Sequence, residues 1–219
     1  MSAYVRPDFD VVTAWVAQGA SVLDLGCGDG ELLARLQRER GTKGYGVEID
    51  DAGVLNCLGR GLNVLQANIE GGLSLFGDAA FDVVILSQTL QATRHTEALV
   101  REVLRVGKSA IVTLPNFGHW SVRWQLGVGG RMPVSKRLPY QWYDTPNVHF
   151  STIKDFDVFC VEKGIAVERR AALAGGREVT FLPNLRGETA VFQIRGSARS
   201  KPEGRTAGRI NSTGGVLAL

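Results

Sequence analysis

Apolar positions along this chain follow two periods that take turns. Continuous apolar runs that end at a glycine or a polar residue stand at 21–25, 45–49, 62–66, 81–86 and 109–114, the pattern of strands buried on both faces. Between them the apolar residues recur every three or four positions. Phe9, Val12 and Val16 share a face over 7–16, and Leu32, Leu33 and Leu36 share one over 31–40, with Gly41 as the stop. Leu99, Val103 and Val106 do the same over 96–106, ending at Gly107, and a further helix is expected over 51–58. Later in the chain a helix at 153–163 turns Phe156 and Phe159 inward, and strands near 165–171 and 188–195 close the fold. Strands rich in Val, Ile and Leu, separated by amphipathic helices, imply right-handed βαβ units. The expected fold is α/β, a doubly wound, mostly parallel sheet covered on both faces.

Residues 115–151 break the rhythm. They hold Phe117, Trp120, Trp124, Tyr140, Trp142, Tyr143 and Phe150 among prolines and glycines. Long insertions of this kind serve as lids or contact surfaces. Three uses stay open: a packed cap over the sheet, a surface for a partner, or part of an acceptor pocket. The domain is expected to span 1–196, followed at 197–219 by a disordered basic tail rich in Gly, Ser, Thr and Arg.

Composition changes this picture in few places. With 219 residues, 44% of them hydrophobic, the chain can bury a core that needs no disulfide or metal. The formal net charge is +3, and Arg199, Lys201, Arg205 and Arg209 against Glu203 account for all of it. The body is therefore neutral, which disfavours nucleic acid as a partner. Cys27, Cys57 and Cys160 are far apart and form no CxxC, which argues for free thiols in a reducing compartment and against zinc. No apolar run approaches the ~18 residues of a membrane span, and the first residues carry no hydrophobic signal segment. A cytoplasmic protein with no membrane partner is expected.

The chemistry is expected at Asp24-Leu25-Gly26-Cys27-Gly28-Asp29-Gly30, where a glycine-rich turn joins the first strand to a helix. Without side chains in the way, a ligand can approach the backbone, and the N–H groups that open the helix favour an anion. A dinucleotide fingerprint would need glycine at 31, where the chain has Glu31. The acid at Asp24 would repel a pyrophosphate but suits an ammonium or a sulfonium. The pattern tilts from NAD towards S-adenosylmethionine. Glu48, eighteen residues after Gly30, ends the second strand, where a carboxylate can accept both hydroxyls of an adenosine ribose. After the third strand, Asn68 can reach the adenine edge while Ile49 and Ile69 pack its faces. Ser87 and Gln88 would floor the pocket under the methionine moiety, Cys27 fills the turn, and Asp24, Gly26, Gly28 and Gly30 cradle the methionine part.

Taken together, 22–33 (VLDLGCGDGELL), 44–50 (GYGVEID), 114–120 (LPNFGHW), 130–135 (GRMPVS), 138–147 (LPYQWYDTPN) and the pair His149-Phe150 resemble the MetW family of methionine biosynthesis proteins. That family lies within the class I S-adenosylmethionine-dependent methyltransferases. The similarity runs from about residue 8 to 195. It implies a Rossmann-like sheet of seven strands, six parallel and one antiparallel, with S-adenosylmethionine or S-adenosylhomocysteine as cofactor. It also implies support of homoserine O-acyltransferase (MetX) through a complex. Asn68 departs from the aspartate that many relatives carry after the third strand.

Methyl transfer from a sulfonium needs in-line positioning and, for weak nucleophiles, a base. Ser87-Gln88-Thr89-Leu90 lacks the Asn/Asp-Pro-Pro segment of amino-methylating enzymes, and Gln91 stands where some small-molecule methyltransferases place a histidine. His119 and His149 in the insertion are the remaining candidate bases, and no catalytic residue is assigned. Two functions follow: a binding module coupled to an acyltransferase, or a methyltransferase acting on a small-molecule acceptor.

Overall fold

A computed structural model describes residues 6–135 and 138–196; the basic tail expected at 197–219 lies outside them. The chain opens with α1 (Asp8–Trp15) and then alternates β1 (Ser21–Leu25), α2 (Glu31–Arg40), β2 (Lys43–Glu48), α3 (Asp51–Gly59) and β3 (Val64–Gln66). After a 3-10 turn at Ile69–Gly71 come β4 (Phe81–Ser87), a second 3-10 turn at Leu90–Ala92, α4 (Thr96–Val106) and β5 (Gly107–Pro115). The insertion contributes α5 (Trp120–Gly127). The chain closes with α6 (Ile153–Glu162), β6 (Ile165–Ala174), β7 (Arg177–Glu178), α7 (Pro183–Arg186) and β8 (Thr189–Gly196).

All strands join one sheet in the order β3-β2-β1-β4-β5-β8-β6-β7. The pairs among β1 to β5 are parallel, whereas β8 runs antiparallel to both β5 and β6. Among the described residues the sheet thus holds eight strands rather than the seven expected. The addition is β7, two residues long, which pairs antiparallel with the end of β6 through Leu173↔Glu178 and Ala174↔Arg177. Gly175-Gly176 makes the two-residue turn between them, a hairpin signal visible in the sequence.

The strands alternate their side chains between two apolar layers, as the period of two requires. Val22, Val83, Ile85, Ile111 and Val191 face Phe9, Val12, Leu33, Leu36 and Cys57 from α1, α2 and α3. Leu23, Leu25, Val84, Leu86, Val112 and Phe192 face Leu99, Val103, Ile153, Phe156 and Cys160 from α4 and α6. Both faces are covered, so both sets read as one apolar run in sequence. α6 begins with a capping box in which Thr152 and Asp155 exchange hydrogen bonds with each other's backbone N–H.

The insertion leaves and re-enters the sheet at neighbouring points. The Phe117 N–H donates to the Ser151 carbonyl at 3.0 Å, and the Phe117 and Phe150 ring centres lie 4.9 Å apart with the planes tilted by 40°. Buried Asn116 secures this junction, donating to the carbonyls of Asn184 and Gly187 and accepting the N–H of Gly118 and Ile153. Between these ends the stretch does not form a closed cap. Trp120, Trp124, Trp142 and Tyr143 are all more than half exposed.

Candidate functional site

The strand order reverses direction between β1 and β4, and a crevice forms at the carboxyl ends of strands at such a switch point. Here it is a cleft of about 380 Å³ lined by Gly26, Val47, Glu48, Ile49, Ala67, Asn68, Ile69, Glu70, Gln88, Thr89, Ala92 and Thr93. The ends of β1, β2, β3 and β4 each contribute. Of the residues singled out from sequence, Gly26, Glu48, Ile49, Asn68, Ile69 and Gln88 line this space.

The glycine turn is held by its neighbours. Gly26, Gly28 and Gly30 all have positive φ, at 70°, 57° and 77°. At Gly26 the approach of Thr89 adds a second constraint, because a Cβ there would come within 2.7 Å of the Thr89 methyl. Thr89 stays in place by donating its hydroxyl to the Leu25 carbonyl at 2.9 Å. The N–H groups of Gly26 and Cys27 both donate to the Val47 carbonyl, at 2.8 and 3.2 Å.

Glu48 is the pin between the turn and β2. Its Oε2 accepts the Gly28 N–H at 2.7 Å, and its Oε1 accepts those of Ile49 and Asp50 at 2.8 and 2.9 Å. A carboxylate offers about four lone-pair sites, and three are taken by main chain. Glu48 therefore keeps room for one further donor on Oε2, whereas the sequence pattern suggested two ribose hydroxyls. Asn68 accepts the Glu70 N–H at 2.9 Å, capping the 3-10 turn, so its amide NH₂ is the group left for an adenine edge.

Asp24 lies at the end of β1 with 1% exposure, and its Oδ1 has no hydrogen-bond partner among the described residues. An orphaned buried carboxylate oxygen is costly and calls for an explanation. Burial pushes its carboxyl up to about 7 against the opposing pull of Arg6, with Glu48 adding a smaller push upward. Asp24 does not itself line the cleft; a ligand ammonium that reached its Oδ1 would supply the missing partner.

Other expected residues stand back from the cleft. The Cys27 thiol points into the layer between β2 and α3, its Sγ 3.7 Å from that of Cys57, and burial pushes both thiols up. All three cysteines are free and buried. Gly28 and Gly30 shape the turn without lining the space. The Ser87 hydroxyl accepts a hydrogen bond from Arg6 Nη2 at 2.7 Å. His119 caps the start of α5 by accepting the Ser121 N–H, and burial lowers its pKa. His149 sits in a separate groove with Arg94, His95, Arg101 and Lys163. Neither histidine lines the cleft.

Sequence reasoning had given no role to Glu70, Thr89 and Gln91. Glu70 turns its Oε1 to the N–H groups of Arg94 and His95, closing the segment that leads into α4. Gln91 joins the insertion to the cleft: its carbonyl accepts the N–H of Val148 and His149 at 2.8 and 3.0 Å, and its amide donates to the Gln88 carbonyl at 2.6 Å. Gln88 itself has φ of 56°, which is uncommon for a residue with a side chain. Thr89 and Gln91 stand in the stretch after the fourth strand that the sequence had already singled out, and Glu70 directly follows Asn68 and Ile69.

Among the described residues no helix is long and apolar enough to cross a membrane, and no group of His, Cys, Asp and Glu could hold a metal ion. A family model for the methionine biosynthesis protein MetW matches residues 6–194. The chain is 34% identical over 198 residues to the bifunctional methionine biosynthesis protein MetXA/MetW of Rhodopirellula baltica, covering 84% of this chain but 32% of that protein. The chain thus spans about a third of that relative's length. An S-adenosylmethionine-dependent methyltransferase from Mesorhizobium loti shares the fold with a TM-score of 0.65 at 16% identity, over 87% of this chain and 98% of that one. Another from Thermotoga maritima superposes with a TM-score of 0.63 at 16% identity, covering 87% and 88% of the two chains.

Proposed function

The chain belongs to the MetW family of methionine biosynthesis proteins, and from that membership we propose that it binds S-adenosylmethionine or S-adenosylhomocysteine and regulates homoserine O-acyltransferase (MetX) through a complex. The observation that carries the ligand is Asp24, a buried carboxylate with an orphaned oxygen next to a bare glycine turn at the switch point. An amino-acid ammonium satisfies it where a pyrophosphate would be repelled. Glu48 would take a ribose hydroxyl, and Asn68 with Ile49 and Ile69 would hold the adenine. When bound, S-adenosylmethionine carries a methyl group activated for transfer.

Binding is favoured over methyl transfer by the lining of the cleft. Among the described residues its only ionisable side chains are Glu48 and Glu70, and both already accept main-chain N–H groups. Among the described residues no histidine, lysine or cysteine faces the space where an acceptor would need a base. Calorimetry tests the ligand directly. Saturable one-to-one binding of S-adenosylhomocysteine is expected, and its absence at concentrations on the order of 1 mM, the weak end of specific binding, would remove the reading.

The partner is supported by the relative that joins MetXA and MetW in one chain, and by the exposed indoles of Trp120, Trp124 and Trp142. Side chains of this kind dominate interface energetics, and an exposed apolar patch usually has a use. The Gln91 bridge offers a physical link between that surface and the cleft. Titrating the acyltransferase with this protein should give a complex that Trp124→Ala and Trp142→Ala each weaken about tenfold or more, typical of interface anchors. S-adenosylmethionine should change the dissociation constant, and by linkage the acyltransferase must change the ligand's affinity by the same factor. Equal constants with and without ligand would leave a complex but no regulation.

A further inference from the structure

We propose that Arg6 is a hook for the α-carboxylate of the bound ligand, making this protein selective for adenosyl thioethers that retain an intact amino-acid end. The inference rests on the ligand reading above and adds a residue that lies far from the glycine turn in sequence.

Arg6 precedes α1, outside the sheet, yet its guanidinium reaches the end of β4. Nη2 donates to the Ser87 hydroxyl at 2.7 Å and to Asp8 Oδ2 at 2.6 Å, and Nε donates to Asp8 Oδ1 at 3.3 Å. Asp8 is fully buried and also accepts the Thr113 hydroxyl at 3.3 Å, so the anchor of the arginine is itself fixed. The guanidinium carbon stands 4.4 Å from the centre of the Phe9 ring. This is a positioned group rather than a solvated surface charge, with the arginine side chain 24% exposed.

A guanidinium carries five N–H groups in a rigid plane. Those on Nε and Nη2 are committed to Asp8 and Ser87, while Nη1 has no partner among the described residues. The free edge belongs to the same neighbourhood as Asp24, which pairs with Ile85 in the register of β1 and β4, two positions before Ser87. The Arg6 charge acts on the Asp24 carboxyl, but the two form no hydrogen bond. A guanidinium nitrogen with no partner among the described residues and an orphaned carboxylate oxygen, not joined to each other, complement a zwitterion. The α-ammonium would take Asp24 Oδ1 and the α-carboxylate would take Arg6 Nη1. A nucleoside ending in a plain thioether methyl would leave both groups unpaired.

The bland alternative is that Arg6 only ties the start of α1 to the sheet. Calorimetry with S-adenosylhomocysteine and with 5′-methylthioadenosine separates the two, since the second ligand keeps the adenosine and the thioether and lacks the amino-acid end. The unaltered protein should prefer S-adenosylhomocysteine by at least about tenfold. Arg6→Ala should weaken S-adenosylhomocysteine about 10- to 100-fold, the worth of a charged hydrogen bond, and leave 5′-methylthioadenosine within about twofold. Arg6→Lys keeps a cation for Asp8 but has no second edge, so it carries the same test if the alanine variant does not fold. Equal losses for both ligands, or no loss for S-adenosylhomocysteine, would overturn the hook while the ligand reading stood. Failure of the unaltered protein to bind either ligand would overturn both.

Discussion

Asp24→Asn should raise the melting temperature of the ligand-free protein at pH 8 and, in the same molecule, weaken S-adenosylhomocysteine at least about tenfold. The first effect follows from linkage. Burial lifts the carboxyl from its ordinary 3.8 to about 7, so between these values the folded chain holds a proton that the unfolded chain has released. Stability from this group is therefore greatest below about pH 4, falls as pH rises, and is at its lowest above 7. That interval corresponds to a penalty of at most about 4 kcal/mol. Asparagine has nearly the same shape and no charge, so it escapes the penalty. For a domain of this size the gain amounts to at most roughly 10 °C at pH 8, shrinking towards nothing near pH 4. The second effect arises because the amide cannot pair with an ammonium as a charge does. Thermal melts across that pH range with calorimetry at pH 8 check both parts. A melting difference that ignores pH would mean the carboxyl does not titrate as its burial requires.

Glu48→Ala should weaken the same ligand about tenfold or more and also lower the melting temperature. The carboxylate accepts the N–H groups of Gly28, Ile49 and Asp50. Its removal leaves three donors to find water and frees the turn from β2. Charge-assisted hydrogen bonds are worth about 1.5–3 kcal/mol each when buried. This group is partly exposed, so a net loss of about 1–3 kcal/mol in stability is expected. Glu48→Gln retains one accepting oxygen and should fall between the two proteins in both measurements. Unchanged binding in the alanine variant would separate Glu48 from the ligand altogether.

How much of this was legible in sequence depended on distance along the chain. The strands and helices up to β5 could be read because each is a local periodic signal, and their ends shifted by only a few residues. The glycine turn and Glu48 were visible because the turn is contiguous and β2 follows one helix later. Arg6 was not visible: it meets Ser87 across 81 positions, and nothing in the Arg6-Pro7-Asp8 stretch marks it as a reach into the sheet. Asp24 was singled out as an acid, but its lack of a partner is a property of the packed layers around it. Glu70 and Gln91 act through main-chain groups of other segments, a use that leaves no trace in residue type. The aromatic stretch was ambiguous for the opposite reason, since Trp and Tyr suit a core, an interface and a pocket alike. Exposure decides among those uses, and it follows from tertiary structure.

The closed junction at Phe117, Ser151 and Asn116 also bears on how this protein can diversify. A stretch whose two ends are tied together at one spot behaves as a cassette: it can be lengthened, trimmed or exchanged at little cost in loop entropy and without shifting the register of the strands beneath. A change within that lobe would then be felt at the crevice chiefly through the one other tie, the donation of Val148 and His149 to the Gln91 carbonyl.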